Sequence, residues 1–168
     1  MPSPLGHLMG GAIAGGLVAG RSAPPLALLG FAAAGAVADL DLLAGVHSGP
    51  THSVFAALTA GLICWMVWAR PARAPAALRM GAAVAAAYAS HPLLDWLSTD
   101  TTAPMGIMAL WPLSSEHYLS PFRVFLPVSR RYWLIDAWWL NLRAVIREVL
   151  ILGPPLVMVW WRTRTEPR

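Results

Sequence analysis

The chain has 168 residues, enough for one domain; 57% are hydrophobic, only 12% are charged, and the net charge is +4. A soluble domain carries roughly 25% charged residues, so this composition points to a membrane protein before any motif is read. The basic balance does not imply nucleic acid: all twelve cations are arginines with no lysine beside them, and they lie in connections between apolar runs, where the positive-inside rule puts them.

Apolar segments occupy about 5–20, 25–45, 53–69, 76–97 and 134–161. A spanning helix needs about 20 apolar residues, with about 17 as the lower end, and the second, third and fourth runs qualify. The first is short and built of small residues. Gly11 and Gly15, then Gly16 and Gly20, stand at GxxxG spacing, which predicts a helix packed closely inside a bundle. The opening MPSPLGHLMGG has no basic n-region, so no cleaved signal peptide is expected. Cys64, inside the third run, reads as a small core residue.

Residues 98–133 form a long loop rich in Pro, Gly, Ser and Thr, with enough aromatics and aliphatics to argue against disorder. In the last segment Ile135, Trp138, Trp139, Leu142, Ile146 and Val149 recur at helical spacing, while Asp136, Asn141, Arg143, Arg147 and Glu148 fall mostly elsewhere. That pattern predicts an amphipathic interfacial helix running into a final spanning helix kinked at Pro154 and Pro155. The expected fold is all-α: a polytopic membrane bundle of about five helices, with 1–161 as a single domain that includes loop 98–133, and 162–168 as a basic tail. Five spans put Arg21, Arg70, Arg73, Arg79, Arg162, Arg164 and Arg168 on one side, the cytoplasmic one of an inner membrane.

The polar residues of the apolar segments have a common destination. His7 begins helix one, Asp39 and Asp41 end helix two, His47 and His52 enter helix three, and His91 and Asp95 end helix four. In an up-and-down bundle these places all lie at one end, on the non-cytoplasmic side. His91 and Asp95 are four apart on one helical face, a two-ligand frame for a metal. Asp39 and Asp41 would point about 200° apart on an α-helix, so either the helix has ended there or only one faces the site. Imidazole and carboxylate together favour Zn²⁺, then Mn²⁺, in one or two ions, and more than four strong ligands suggest two. Thr51, Ser53 and Ser90 are candidates for orienting the ligands, although Thr51 or Ser53 could simply cap helix three. In the loop, Trp111 is a candidate substrate contact or interfacial anchor, Glu116 and His117 could act as acid or base, and Arg130 and Arg131 could hold a phosphate or meet lipid headgroups.

The stretches SPLGHLMGG, ADLDLL, HSGPTHS, SHPLLDWLST and MGIMALWPLS, in this order, resemble the YdjM family of inner-membrane metal-dependent hydrolases. The likeness runs over roughly residues 3–136, and YWLIDAWW resembles a later aspartate motif of that family, which would make Asp136 a catalytic candidate. Ser48 stands where the family commonly has a basic residue and Ala38 where it has proline. A more remote likeness, through the His-x3-Asp step of HPLLD, is to zinc-dependent phospholipase C and the P1-type nucleases. These resemblances imply metal-activated water acting on a phosphoester, with membrane lipid as neighbour and a lipid-like or amphiphilic molecule as substrate. Two other readings remain: a transporter of a metal ion or small solute, and a non-catalytic membrane protein with a structural metal.

Overall fold

Ser3 starts the first helix. Its Oγ accepts from the backbone N–H of Gly6 at 3.2 Å, and Pro4 takes the first helical position, the combination that begins helices most readily. In this computed structural model, which describes residues 1–20, 23, 24, 26–45, 48–101 and 103–164, five α-helices follow in order: α1 (Pro4–Ala19), α2 (Ala27–Ala36), α3 (Val54–Trp68), α4 (Ala74–Trp96) and α5 (Ile135–Arg164). Among the described residues there is no strand. Helix α1 packs against α2, α4 and α5, and α4 packs against α1, α2 and α3.

The contacts are close because the facing residues are small. Gly11 and Gly15 turn toward Phe31 and Gly35 of α2, while Gly16 receives Val159 of α5. A Cβ on Gly35 would lie 2.5 Å from the His7 carbonyl oxygen and 2.6 Å from Gly11 Cα. Gly61 and Gly81 make the matching crossing of α3 and α4, where a Cβ on either would stand 2.6–2.7 Å from the other's carbonyl oxygen. Leu28, Phe31, Ala83, Ala87 and Val159 fill the space between the helices.

The run 25–45 differs from the single helix expected. The α-helix stops at Ala36 and continues as a tighter 3₁₀ segment, Val37–Ala44, which ends at Gly45 in the left-handed region. Three residues per turn replace 3.6 there, which changes where Asp39 and Asp41 point. Helix α5 stays helical through Pro154 and Pro155 to Arg164. It runs beside α1 in the same direction, with Glu148 at Gly6 and Val159 at Gly16.

The apolar stripe of α5 faces outward: Ile135, Trp138, Trp139, Leu142, Ile146 and Val149 are all exposed, and Ala137, Ala144, Glu148 and Val159 are buried. Helix α3 is more extreme. Only Ala57 and Gly61 are buried, while Leu58, Leu62, Ile63, Met66 and Val67 are exposed.

Among the described residues no helix is long and apolar enough to cross a membrane. This departs from the expectation of five spans, in runs 5–20, 25–45, 53–69 and 76–97 and in the final spanning helix of 134–161. Helices α1 and α3 have 16 and 15 residues, about 24 and 22 Å against a hydrocarbon core of about 30 Å. Helix α4 is long enough but is largely alanine and carries Arg79, His91 and Asp95.

The loop after α4 is stitched to the bundle end. Val54 N–H donates to Ala109 O at 3.0 Å, Met108 N–H to Ser48 O at 3.1 Å, and Ser120 N–H to Trp96 O at 3.0 Å. Asn141 of α5 holds Ser129 through both backbone groups, at 2.7 and 2.9 Å.

The glycine crossing makes a comparison within one helix. Gly35→Ala meets backbone, whereas a Cβ on the exposed Gly30 meets nothing within 4 Å. Gly35→Ala is expected to destabilise by about 1–3 kcal/mol, and Gly30→Ala to be neutral or to stabilise by up to about 1 kcal/mol. Thermal unfolding of the two variants in detergent checks the contrast.

Candidate metal centre

Six of the seven candidate ligands meet at one end of the bundle; the seventh, His47, lies outside the described residues. His7 comes from the second turn of α1, Asp39 and Asp41 from the 3₁₀ segment after α2, His52 from the turn before α3, and His91 and Asp95 from the last turns of α4. His7, His52, His91 and Asp95 are each at most 1% exposed.

Asp95 is the hub. Its Oδ2 lies 3.2 Å from His91 Nε2 and 3.4 Å from His52 Nε2, and its Oδ1 lies 3.4 Å from His7 Nε2. Asp39 Oδ1 closes one side, 3.7 Å from His91 Nε2 and 3.9 Å from His52 Nε2. The rings of His7 and His91 stack with centroids 3.7 Å apart.

The outer nitrogens of two rings set their tautomers. His91 Nδ1 stands 2.8 Å from Gly35 O; a carbonyl only accepts, so Nδ1 carries a proton, and in the neutral ring Nε2 then presents its lone pair. Thr51 Oγ1 donates its one proton to Asp41 Oδ2 at 2.8 Å and therefore accepts from His52 Nδ1, 3.1 Å away. Asp41 Oδ2 itself lies 3.2 Å from that nitrogen. In the neutral ring His52 Nε2 likewise turns a lone pair inward. The two Nε2 atoms are 3.0 Å apart. Two acceptors that close repel unless a proton or a metal ion lies between them. Around one small divalent ion with bonds of 2.0–2.1 Å, tetrahedral donor atoms sit about 3.3 Å apart, close to the spacings here.

The hydrogen-bond pattern agrees. Neither oxygen of the buried Asp95 carboxylate, nor His7 Nδ1, has a hydrogen-bond partner among the described residues. An isolated buried carboxylate is costly and is stabilised by a cation. Three overlapping sets have donor atoms within 4.8 Å of one another: His7, Asp39 and His91; His52, His91 and Asp95; Asp39, Asp41 and His52.

The remaining candidates divide. Thr51 touches the cluster, and its carbonyl accepts from Tyr88 OH at 2.8 Å. Ser53 caps α3, accepting from Ala56 N–H at 3.1 Å while donating to Pro50 O at 2.7 Å. Ser90 donates to Ala87 O in its own helix. Trp111 packs edge-on against Phe55 of α3. Glu116 is exposed beside Tyr118 OH, and Asp136 is exposed in the first turn of α5. No described contact brings Glu116, His117 or Asp136 to the cluster.

Arg130 and Arg131 line a cleft of about 650 Å³ together with Met1, Ser48, Asp100 and Ser129. At this cleft burial lowers the pKa of the Met1 amino group, and the charges of Asp95, Asp100 and Arg130 act on it.

Two participants were not legible as such in the sequence. Gly35 matters through its carbonyl, which no residue type announces. Glu148 reads as part of a polar helix face, yet it is fully buried and accepts from Ser3 N–H at 2.7 Å and from Ser3 Oγ. Its signal was the company it keeps: Ala137 and Ala144, at i−11 and i−4, mark the small-residue face that packs.

The chain is 29% identical over 129 residues to the inner membrane protein YbcI of Escherichia coli (strain K12), an alignment covering 70% of this chain and 68% of the relative. No solved structure matches it. The model of the YdjM inner membrane protein family matches residues 1–165, so the chain belongs to the YdjM family of inner membrane proteins.

Proposed function

We propose that this protein is a membrane-embedded, metal-dependent hydrolase that cleaves a phosphoester in an amphiphilic substrate, with its metal held at the His/Asp end of the bundle. The observation that carries the reading is the convergence of three imidazole Nε2 atoms on the buried Asp95 carboxylate, at 3.2–3.4 Å.

His52, His91 and Asp95, with His7 and Asp39, would hold one or two divalent ions, Zn²⁺ before Mn²⁺ from the mixture of imidazole and carboxylate donors. A metal there supplies a bound water of lowered pKa and polarises a phosphoryl oxygen. Asp41 and Thr51 keep the His52 ring in the tautomer that points Nε2 inward, and Gly35 O does the same for His91. Asp39 is half-buried and the most accessible ligand, with its side chain 24% accessible. It marks the side on which water and substrate reach the cluster and supports an open, catalytic site over a closed, structural one.

The outward Leu, Ile, Val, Met and Trp residues of α3 and α5 support immersion of the bundle in lipid. Helices shorter than the hydrocarbon core are accommodated by thinning of the bilayer. The cleft beside Arg130 and Arg131 supports an anionic substrate group, because guanidinium pairs phosphate oxygens through two parallel hydrogen bonds. The strongly polar buried groups, Asp95, Glu148 and the three histidines, gather at one end of the bundle. That distribution weighs against a transport path, which needs polar groups near the midplane.

The paired substitution of His91 and Asp95 by Ala is expected to reduce bound metal to background in protein purified in detergent, read by elemental analysis. Thr51→Val, which removes the hydroxyl that bonds both His52 Nδ1 and Asp41, is expected to weaken metal binding about 10-fold to 100-fold. Undiminished metal in the double variant would overturn the ligand assignment. With Zn²⁺ or Mn²⁺ loaded, phosphodiester and phosphomonoester reporters test the reaction class. Replacing both Arg130 and Arg131 with Ala is expected to raise KM about tenfold or more with little change in kcat. Activity on uncharged esters that is unaffected by the arginine change would overturn the phosphoester reading.

A further inference from the structure

We infer that Glu148 is a positioning residue for His7, acting through the N-terminal cap of α1, an inference that rests on the metal reading of the cluster. Glu148 is 0% exposed, in the middle of a helix that otherwise turns apolar side chains outward. It faces no arginine in any described ion pair. Its carboxylate is committed to one residue: Oε1 accepts from Ser3 N–H at 2.7 Å, and Oε2 accepts from Ser3 Oγ.

Ser3 is the residue that begins α1. Its Oγ, while donating to Glu148, accepts from Gly6 N–H, and its carbonyl accepts from His7 N–H at 3.2 Å. Every link from Glu148 to the His7 backbone is therefore a hydrogen bond through Ser3. Gly6 completes the arrangement: a Cβ there would lie 2.8 Å from Glu148 Oε2 and 2.9 Å from its Cδ, so only glycine lets the carboxylate rest on the first turn. A carboxylate is also favoured at a helix N-terminus by the unpaired N–H groups and the helix dipole.

His7 has the least support of the three imidazoles. Thr51 and Asp41 hold His52, and Gly35 O holds His91, but His7 Nδ1 has no hydrogen-bond partner among the described residues. Its ring is placed by stacking on His91 and by the backbone of the first two turns. The register and tilt of α1 thus decide whether Nε2 reaches Asp95, and Glu148 anchors the start of that helix to α5.

The test replaces the metal with Co²⁺, whose visible spectrum reports its ligands, in the full-length protein in detergent. Glu148→Gln keeps one acceptor and loses the other. It is expected to shift the Co²⁺ bands in the direction His7→Ala does and to weaken Co²⁺ binding about tenfold or more. Ser3→Ala, which keeps the buried carboxylate, is expected to act in the same direction and carries the test if Glu148→Gln fails to fold. The double variant is expected to cost little beyond the larger single effect, because both changes break one path. Variants that unfold more easily yet bind Co²⁺ with the wild-type spectrum and affinity would overturn the positioning role and leave the metal reading standing. A wild-type protein that takes up no Co²⁺ and no Zn²⁺ would overturn both.

Discussion

The close approach of two backbones at Gly11 and Gly35 is the constraint on which the rest of the structure depends. Gly35 lies against the His7 carbonyl of α1 and offers its own carbonyl to His91 of α4. Asp39 and Asp41 follow four and six residues later. Three ligand-bearing elements are thus placed relative to one residue without a side chain. Backbones can come this near only where no Cβ intervenes, and van der Waals packing of small residues is what holds helices together when their surroundings are apolar.

Concentrating charge at one end of an apolar bundle has a cost that the arrangement itself offsets. Three carboxylates and three imidazoles share a volume in which most have almost no access to water. Burial makes each unpaired charge expensive, and burial also strengthens each pairing. The outer nitrogens of His52 and His91 are bound to acceptors, so the inner ones have little freedom to turn away. The geometry is that of a cluster that could hold a metal ion without large rearrangement.

The outer surface obeys the opposite rule from a water-soluble protein. Small residues are inside and large apolar ones are outside, most clearly on α3. That inversion is physically sound where the solvent is hydrocarbon, because a bulky apolar side chain loses nothing by facing lipid while a small one permits close packing. Helix α5 follows the same logic along its length, its alanines and Glu148 turned to the bundle and its tryptophans turned out.

By itself the sequence determined that the chain is helical and apolar, where four of the helices begin and end to within a few residues, and that His7, Asp39, Asp41, His52, His91 and Asp95 share one end of the bundle. That last inference needed only the premise that successive helices alternate in direction, as in an up-and-down bundle. What only the tertiary structure decided was orientation and partnership. The tightening of residues 37–44 to a 3₁₀ segment lets both aspartates reach the two nitrogen edges of His52, and the burial of Ala137, Ala144 and Glu148 decides which face of α5 meets the bundle. Glu148 sits beside Ser3 across 145 residues of chain. Periodicity records that a helix has two faces but not which face meets a neighbour, and hydrogen bonds between distant residues, or through a bare carbonyl such as that of Gly35, leave no mark in the spacing of residue types.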